Sequence, residues 1–305
     1  EVPNAHDWAS IVVYAAFPHN LHEQLRQARF KQARRALDVV LARANKLVVQ
    51  EFSPRSSSPQ PQGKSPENER TEPSSDIKEV RQQLREAMAR FEEAAPKEGM
   101  GPEQVKSWGV LASAWKQVAL VLSGKGVYAG ESREALLQDK AFRTALEKSR
   151  HYYYECYRVG ATEAWPLVQY LALTVGLGLD QDAENPKVLR RFKRLWAAAQ
   201  VRAEDNLQWG TTQQKAWAHG SLAELKLLSL SWSDPEKHWE RCRTETIEHL
   251  NRVLDIRDMR QYEQADFDVF SLRQQVRRYW LWKWGTKEMQ RLAKELVERS
   301  EARGG

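Results

Sequence analysis

Residues 143 to 173 read Arg143-Thr-Ala-Leu-Glu-Lys-Ser-Arg-His-Tyr-Tyr-Tyr-Glu-Cys-Tyr-Arg-Val-Gly-Ala-Thr-Glu-Ala-Trp-Pro-Leu-Val-Gln-Tyr-Leu-Ala-Leu173. The spacing predicts the end of one long helix, a tight turn at Gly160, and a second helix opening around Trp165. Pro166 suits that helix's first turn, where the amide hydrogen it lacks would be unpaired anyway. Aromatic residues on similar apolar patterns recur at Trp108, Trp165, Trp217 and Phe270, at intervals of 57, 52 and 53 residues. An internal repeat of this length outranks other signals of fold. Each period holds two helices of about twenty residues with their loops, and a helix pair with one apolar face per helix is stable only when stacked on neighbours.

The junction at Glu163-Ala164-Trp165, followed by Val168, Leu171 and Leu173, resembles a tetratricopeptide repeat (TPR), although the period exceeds that family's usual length of about 34 residues. The resemblance implies an all-α fold, a TPR-like α-solenoid of helical hairpins, with a concave side that docks a protein or peptide.

Outward from this stretch the chain divides by composition. Residues 1–19 read as an extended segment around the β-branched run Ile11-Val12-Val13-Tyr14, the one strand signal in the sequence. His6, Trp8, that run and Pro18 resemble the closing strand of a CHAT domain, the caspase-like protease fold. The resemblance implies that the protease's His and Cys lie upstream of Glu1, with partners in bacterial defence or programmed proteolysis. The opening Glu1-Val-Pro-Asn, without an initiator Met or a signal-peptide pattern, reads as a fragment or processed product.

Residues 20–52 predict a first helix with a basic outer face, and 53–75 a disordered linker. That linker carries Pro54, Pro59, Pro61, Pro66 and Pro73 and no large apolar side chain, so it has nothing to offset its ordering entropy. Residues 76–305 form the helical-repeat domain, with helix pairs punctuated by Gly124, Gly126, Gly130 and Gly160 and by Asn185-Pro186 and Asp234-Pro235.

Net charge of +6, 29% charged residues and a mean hydropathy of −0.70 fit a well-solvated helical array, with no apolar run long enough to span a membrane. The two cysteines, Cys156 and Cys242, fit a reducing cytoplasm.

Catalytic and cofactor patterns are weak. His238 and Cys242 lie one helical turn apart without a second ligand-spaced pair, which favours a packed thiol beside a rim imidazole over zinc. His151 and Cys156 face apart by about 140° on a helix. Gly124-Lys-Gly126 and Gly176-Leu-Gly178 lack the strand and the Lys-Ser/Thr of a phosphate loop. The reading is therefore a non-enzymatic module with no cofactor and no metal.

Binding residues are sought where aromatics fail to fit one apolar stripe. Tyr152, Tyr153, Tyr154 and Tyr157 surround a helix, so at least one phenol faces a groove or partner. Tyr154, Tyr157, Trp209 and Trp232 are the candidate contacts for a protein or peptide. Trp280, Trp282 and Trp284 alternate too closely for one helical face, and suggest either a cover for the array's end or a docking surface. Arg190, Arg191, Lys193 and Arg194 form a basic turn, with no acid from Lys187 to Arg202. That patch carries the alternative reading, a nucleic-acid-associated adaptor, since neutralising phosphates takes exposed cations.

Overall fold

The structure is a computed structural model that describes residues 24–44, 46–47, 75–95, 102–128, 130–160, 163–180, 186–232, 235–260, 262–263 and 265–303. The extended segment 1–19 and all but the last residue of the 53–75 linker lie outside the described residues. Every regular element among them is a helix, and none is long and apolar enough to cross a membrane. The chain forms two units, Glu1–Gly99 and Met100–Gly305.

In the first unit, α1 (24–44) and α2 (Ser75–Ala94) make an antiparallel pair. Leu37, Leu41 and Ala44 of α1 and Val80, Leu84, Met88 and Phe91 of α2 are buried. Phe30 stacks on Phe91 at 4.7 Å, and Arg43 donates to Gln83 at 3.2 Å toward the other end. α1 buries one face, with Leu37, Leu41 and Ala44 recurring at helical spacing. Its many cations stay in water, as the cost of desolvating them requires.

The second unit holds α3 (Pro102–Tyr128), α4 (Arg133–Gln138), α5 (Lys140–Arg158), α6 (Trp165–Gly176), α7 (Pro186–Trp209), α8 (Thr212–Ser229), α9 (Pro235–Asp258), α10 (Ala265–Leu281) and α11 (Lys287–Ala302). Helix starts follow local chemistry. Asp139 ends α4 and caps α5 by accepting from the amides of Ala141 and Phe142 at 2.8 and 3.1 Å. The helical run after Ser132 is thus divided at a residue better suited to a cap than to a helix interior. Thr211 and Gln214 form a reciprocal capping box at α8, and Thr286 caps α11. Gly124 and Gly126, expected as breaks, lie within α3, which ends before Gly130 at φ 72°.

Successive helices pack as neighbours, with α3 on α5, α5 on α6, α7 on α8, α8 on α9 and α10 on α11. The repeat positions have a structural meaning. The Trp165 ring lies so close to Gly109 of α3 that a Cβ there would sit 2.9 Å from it, and it also meets Tyr153 of α5 edge-on at 5.5 Å and Trp217 of α8 at 6.4 Å. Leu272 of α10 then covers Gly220 of α8. Phe270 departs from the pattern and is 53% exposed.

Helices α6 and α8 are buried on nearly all sides, which the edge of an open array does not give. The reason is that α3 is bonded both to α10, through Lys116 and Gln275 at 2.9 Å, and to the turn that follows it. Trp282 donates its indole hydrogen to Ser123 of α3 at 3.0 Å, across 159 residues of sequence. Trp282 and Trp284 are thus core residues, not a docking surface. The helix stops at Leu281, and Lys283 (φ 54°) and Gly285 (φ 68°) turn the chain so that both indoles point inward. Trp284 lies so close to Gly176 that no side chain fits there.

Candidate functional site

Two polar assemblies stand out in the second unit, and they differ in access to solvent. The interior one is made by Lys116 (α3), Gln169 (α6), Glu224 (α8) and Gln275 (α10), successive in sequence at intervals of 53, 55 and 51. Lys116 Nζ donates to the side-chain oxygens of Gln169 and, at 2.9 Å, of Gln275. The two amide nitrogens donate to the two Glu224 oxygens at 2.9 Å each. Tyr279 donates to Glu224 at 2.8 Å, and Arg278 to Gln275 at 2.6 Å.

The amides thus relay between a buried ammonium and a buried carboxylate. Burial drives the Glu224 carboxyl up and, with the Arg278 charge second, the Lys116 ammonium well down. Such shifts often mark catalysis. All four side chains are at most 8% exposed and saturate one another, so the assembly joins helices.

The second assembly lies at the surface of α5, α6 and α7. Arg150, Tyr154 and Tyr157 are spaced i, i+4, i+7 on α5, and Arg191, Arg202 and Trp209 fall along one face of α7. Tyr170 of α6 sits 5.1 Å from Tyr154, whose ring is 6.1 Å from Tyr157. Each tyrosine carries a guanidinium: Arg191 over Tyr154 at 5.4 Å, Arg202 over Tyr157 at 5.0 Å and Arg150 over Tyr170 at 5.4 Å. Arg191 also donates to the Tyr154 hydroxyl at 3.0 Å.

Each stack contributes roughly 0.5–1 kcal/mol at a solvated site. Its main consequence is to restrict long, flexible side chains, so that less entropy is lost when their N–H groups meet an anion. Glu155, next to Tyr154 on α5, is paired with Arg158 at 2.9 Å. The face therefore presents guanidinium groups held at fixed places over aromatic rings.

The expected contact residues fare differently. Tyr154 and Tyr157 are brought together with Arg191, uniting the aromatic and basic candidates. Arg190, Lys193 and Arg194 are exposed beside them on α7. Trp209 ends the same face and is 79% exposed. Trp232 is not at this face. It packs edge-on against Phe192 and Trp196 at 5.2 and 5.8 Å, because the turn after α8 folds it onto α7. Arg150, Tyr170 and Arg202 were not foreseen, although the i, i+4, i+7 spacing on α5 already carried part of the signal.

The remaining candidates separate. His238 is exposed, whereas the Cys242 thiol is buried and donates to the Lys226 carbonyl at 3.0 Å. Cys156 donates to the Val105 carbonyl at 3.4 Å, burial pushes its thiol up to about 12, and His151 is exposed on another side of the helix. Neither cysteine has the lowered pKa of a nucleophile. Among the described residues, no group of three or more His, Cys, Asp or Glu is placed to hold a metal ion. No family model, curated protein or solved structure matches the chain.

Proposed function

We propose that the chain is a non-catalytic helical-repeat module that binds an acidic protein segment on the α5–α6–α7 face. The observation that carries this reading is the set of three arginines stacked on three tyrosines at one surface, since a preorganised guanidinium is a bidentate partner for carboxylates. The exposed indole of Trp209 supplies an apolar anchor on the same side of α7.

The order of helix packing and the recurring positions near 53 residues support a TPR-like plan. The bonds from α3 to α10 and to the turn after it argue that the docking surface is outside, not on a concave inner side. A role as the C-terminal regulatory part of a CHAT protein rests on the resemblance of residues 6–18 alone.

The test is fluorescence anisotropy with a short labelled oligoglutamate peptide, an uncharged peptide of equal length and a single-stranded oligothymidylate. The glutamate peptide should bind best, and Arg191→Ala or Arg202→Ala should each weaken it by about tenfold, the loss of one charge-assisted hydrogen bond. Equal binding of the uncharged peptide, or indifference to both substitutions, would refute the reading. The basic turn Arg190-Arg191-Phe192-Lys193-Arg194 favours a second reading, nucleic acid. Tighter binding of the oligonucleotide with a steep salt dependence would select it.

A further inference from the structure

Helix α7 carries a second pattern, about 100° round the helix from Arg191, Arg202 and Trp209. Arg190, Arg194, Ala197, Val201, Glu204 and Gln208 are all exposed, Val201 by 57%, and they recur at alternating intervals of four and three. That period is the seam by which two helices pack along their length. The seam has a centre. Arg190 and Gln208, Arg194 and Glu204, and Ala197 and Val201 are placed symmetrically about Ala199. Positions arranged in this way meet across a two-fold axis when two copies of the helix lie antiparallel.

The charges are ordered for such a partner and against the helix itself. Lys187, Arg190, Arg191, Lys193 and Arg194 gather in the N-terminal half of α7, whereas its only acids, Glu204 and Asp205, lie in the C-terminal half. The helix has no acid in its first turn and no base in its last. This order opposes the helix dipole, which favours acids at the N-terminus and bases at the C-terminus. Glu204 accepts from Gln200 of the same helix at 2.7 Å, and among the described residues no ion pair engages Lys193, Arg194 or Asp205. An antiparallel second α7 brings its acids and the negative end of its dipole against these cations.

We propose that the chain forms a two-fold dimer through α7, the two copies antiparallel about Ala199. Ala197 of each copy comes level with Val201 of the other, and Lys193 and Arg194 of each with Glu204 and Asp205 of the other. The two small side chains make an apolar centre, and the charge pairs fix direction and register. Arg191 and Arg202 lie beside this seam and take no part in it. One helix face is smaller than the roughly 800 Å² per partner of a standard interface, so the dimer is weak, with a Kd on the order of micromolar.

The test is sedimentation velocity of the full chain from low to high micromolar concentration in dilute salt. A reversible monomer–dimer equilibrium is expected, and a chain that stays monomeric throughout overturns the proposal. Lys193→Glu with Arg194→Glu puts acids on both sides of the centre, and Glu204→Lys with Asp205→Lys puts bases there. Each variant alone should dimerise at least about tenfold more weakly, and an equimolar mixture of the two should recover a heterodimer. Dimerisation unchanged by both charge reversals overturns the proposal. In the unsubstituted chain, carbodiimide coupling of Lys193 to Glu204 or Asp205 decides the same question. These residues stand about 16–18 Å apart along one helix, so a direct amide forms only between copies. The coupled peptide in the dimer fraction supports the interface, and its absence overturns it.

Discussion

Lys116 on α3 donates a 2.9 Å hydrogen bond to Gln275 on α10, joining helices 159 residues apart. The bond belongs to a relay ending on Glu224, in which the amides of Gln169 and Gln275 link the two charged groups. Lys116→Ala leaves the buried Glu224 without its cation and is expected to destabilise the second unit by about 3–5 kcal/mol in urea unfolding. Lys116→Met combined with Glu224→Leu should cost less than the two single changes together, because both charges leave the interior at once.

His219 on α8 and His249 on α9, half-buried and hydrogen-bonded through their Nδ1 atoms at 3.0 Å, make a pH prediction. The folded pKa of His219, about 4, is below the unfolded value near 6.5, so between those limits the unfolded chain binds the extra proton. The stability associated with this site is fully present above about pH 6.5 and is lost as pH falls toward 4. Thermal unfolding across that window should show the loss in the unsubstituted chain and a flatter profile in His219→Gln; identical profiles would contradict the assignment.

Trp232 and Trp209 provide a contrast within one residue type. Trp232→Ala removes a ring packed on Phe192 and Trp196 and should cost about 2–4 kcal/mol in chemical denaturation. Trp209→Ala, at a position 79% exposed, should stay within about 0.5 kcal/mol of the parent while weakening oligoglutamate binding.

Gly176 tests the closure of the second unit from its other side. A Cβ at this position would lie 2.4 Å from the Trp284 indole, which is itself 1% exposed and cannot withdraw. Gly176→Ala is expected to lower stability by about 1–3 kcal/mol, read as a fall in the urea midpoint.

The helices were legible in the sequence because apolar periodicity and caps are local. Ser132, Pro166 and Thr286 mark or adjoin helix starts, and within the Trp165 series Trp165 and Trp217 are neighbours in space while Phe270 is exposed. The return of α3 to α10 was not legible. It depends on buried polar residues such as Gln169, whose partners lie on other helices and whose recurrence at about the repeat period reads as ordinary surface polarity. The same limit applies to the candidate site. Tyr154, Tyr157 and Arg191 stood out as misfits to a stripe, but their meeting is a tertiary fact. Trp232 looked like the same kind of misfit until the turn after α8 placed it on α7, and Lys283 and Gly285 did the same for Trp282 and Trp284.

The central claim is that the α5–α7 face receives an acidic segment. Amide hydrogen exchange of the chain with and without saturating oligoglutamate tests it most directly. New protection concentrated in 150–158 and 190–209, and abolished by Arg191→Ala with Arg202→Ala, is the predicted result. Protection confined to other helices, or none at a concentration that saturates the anisotropy signal, would contradict it.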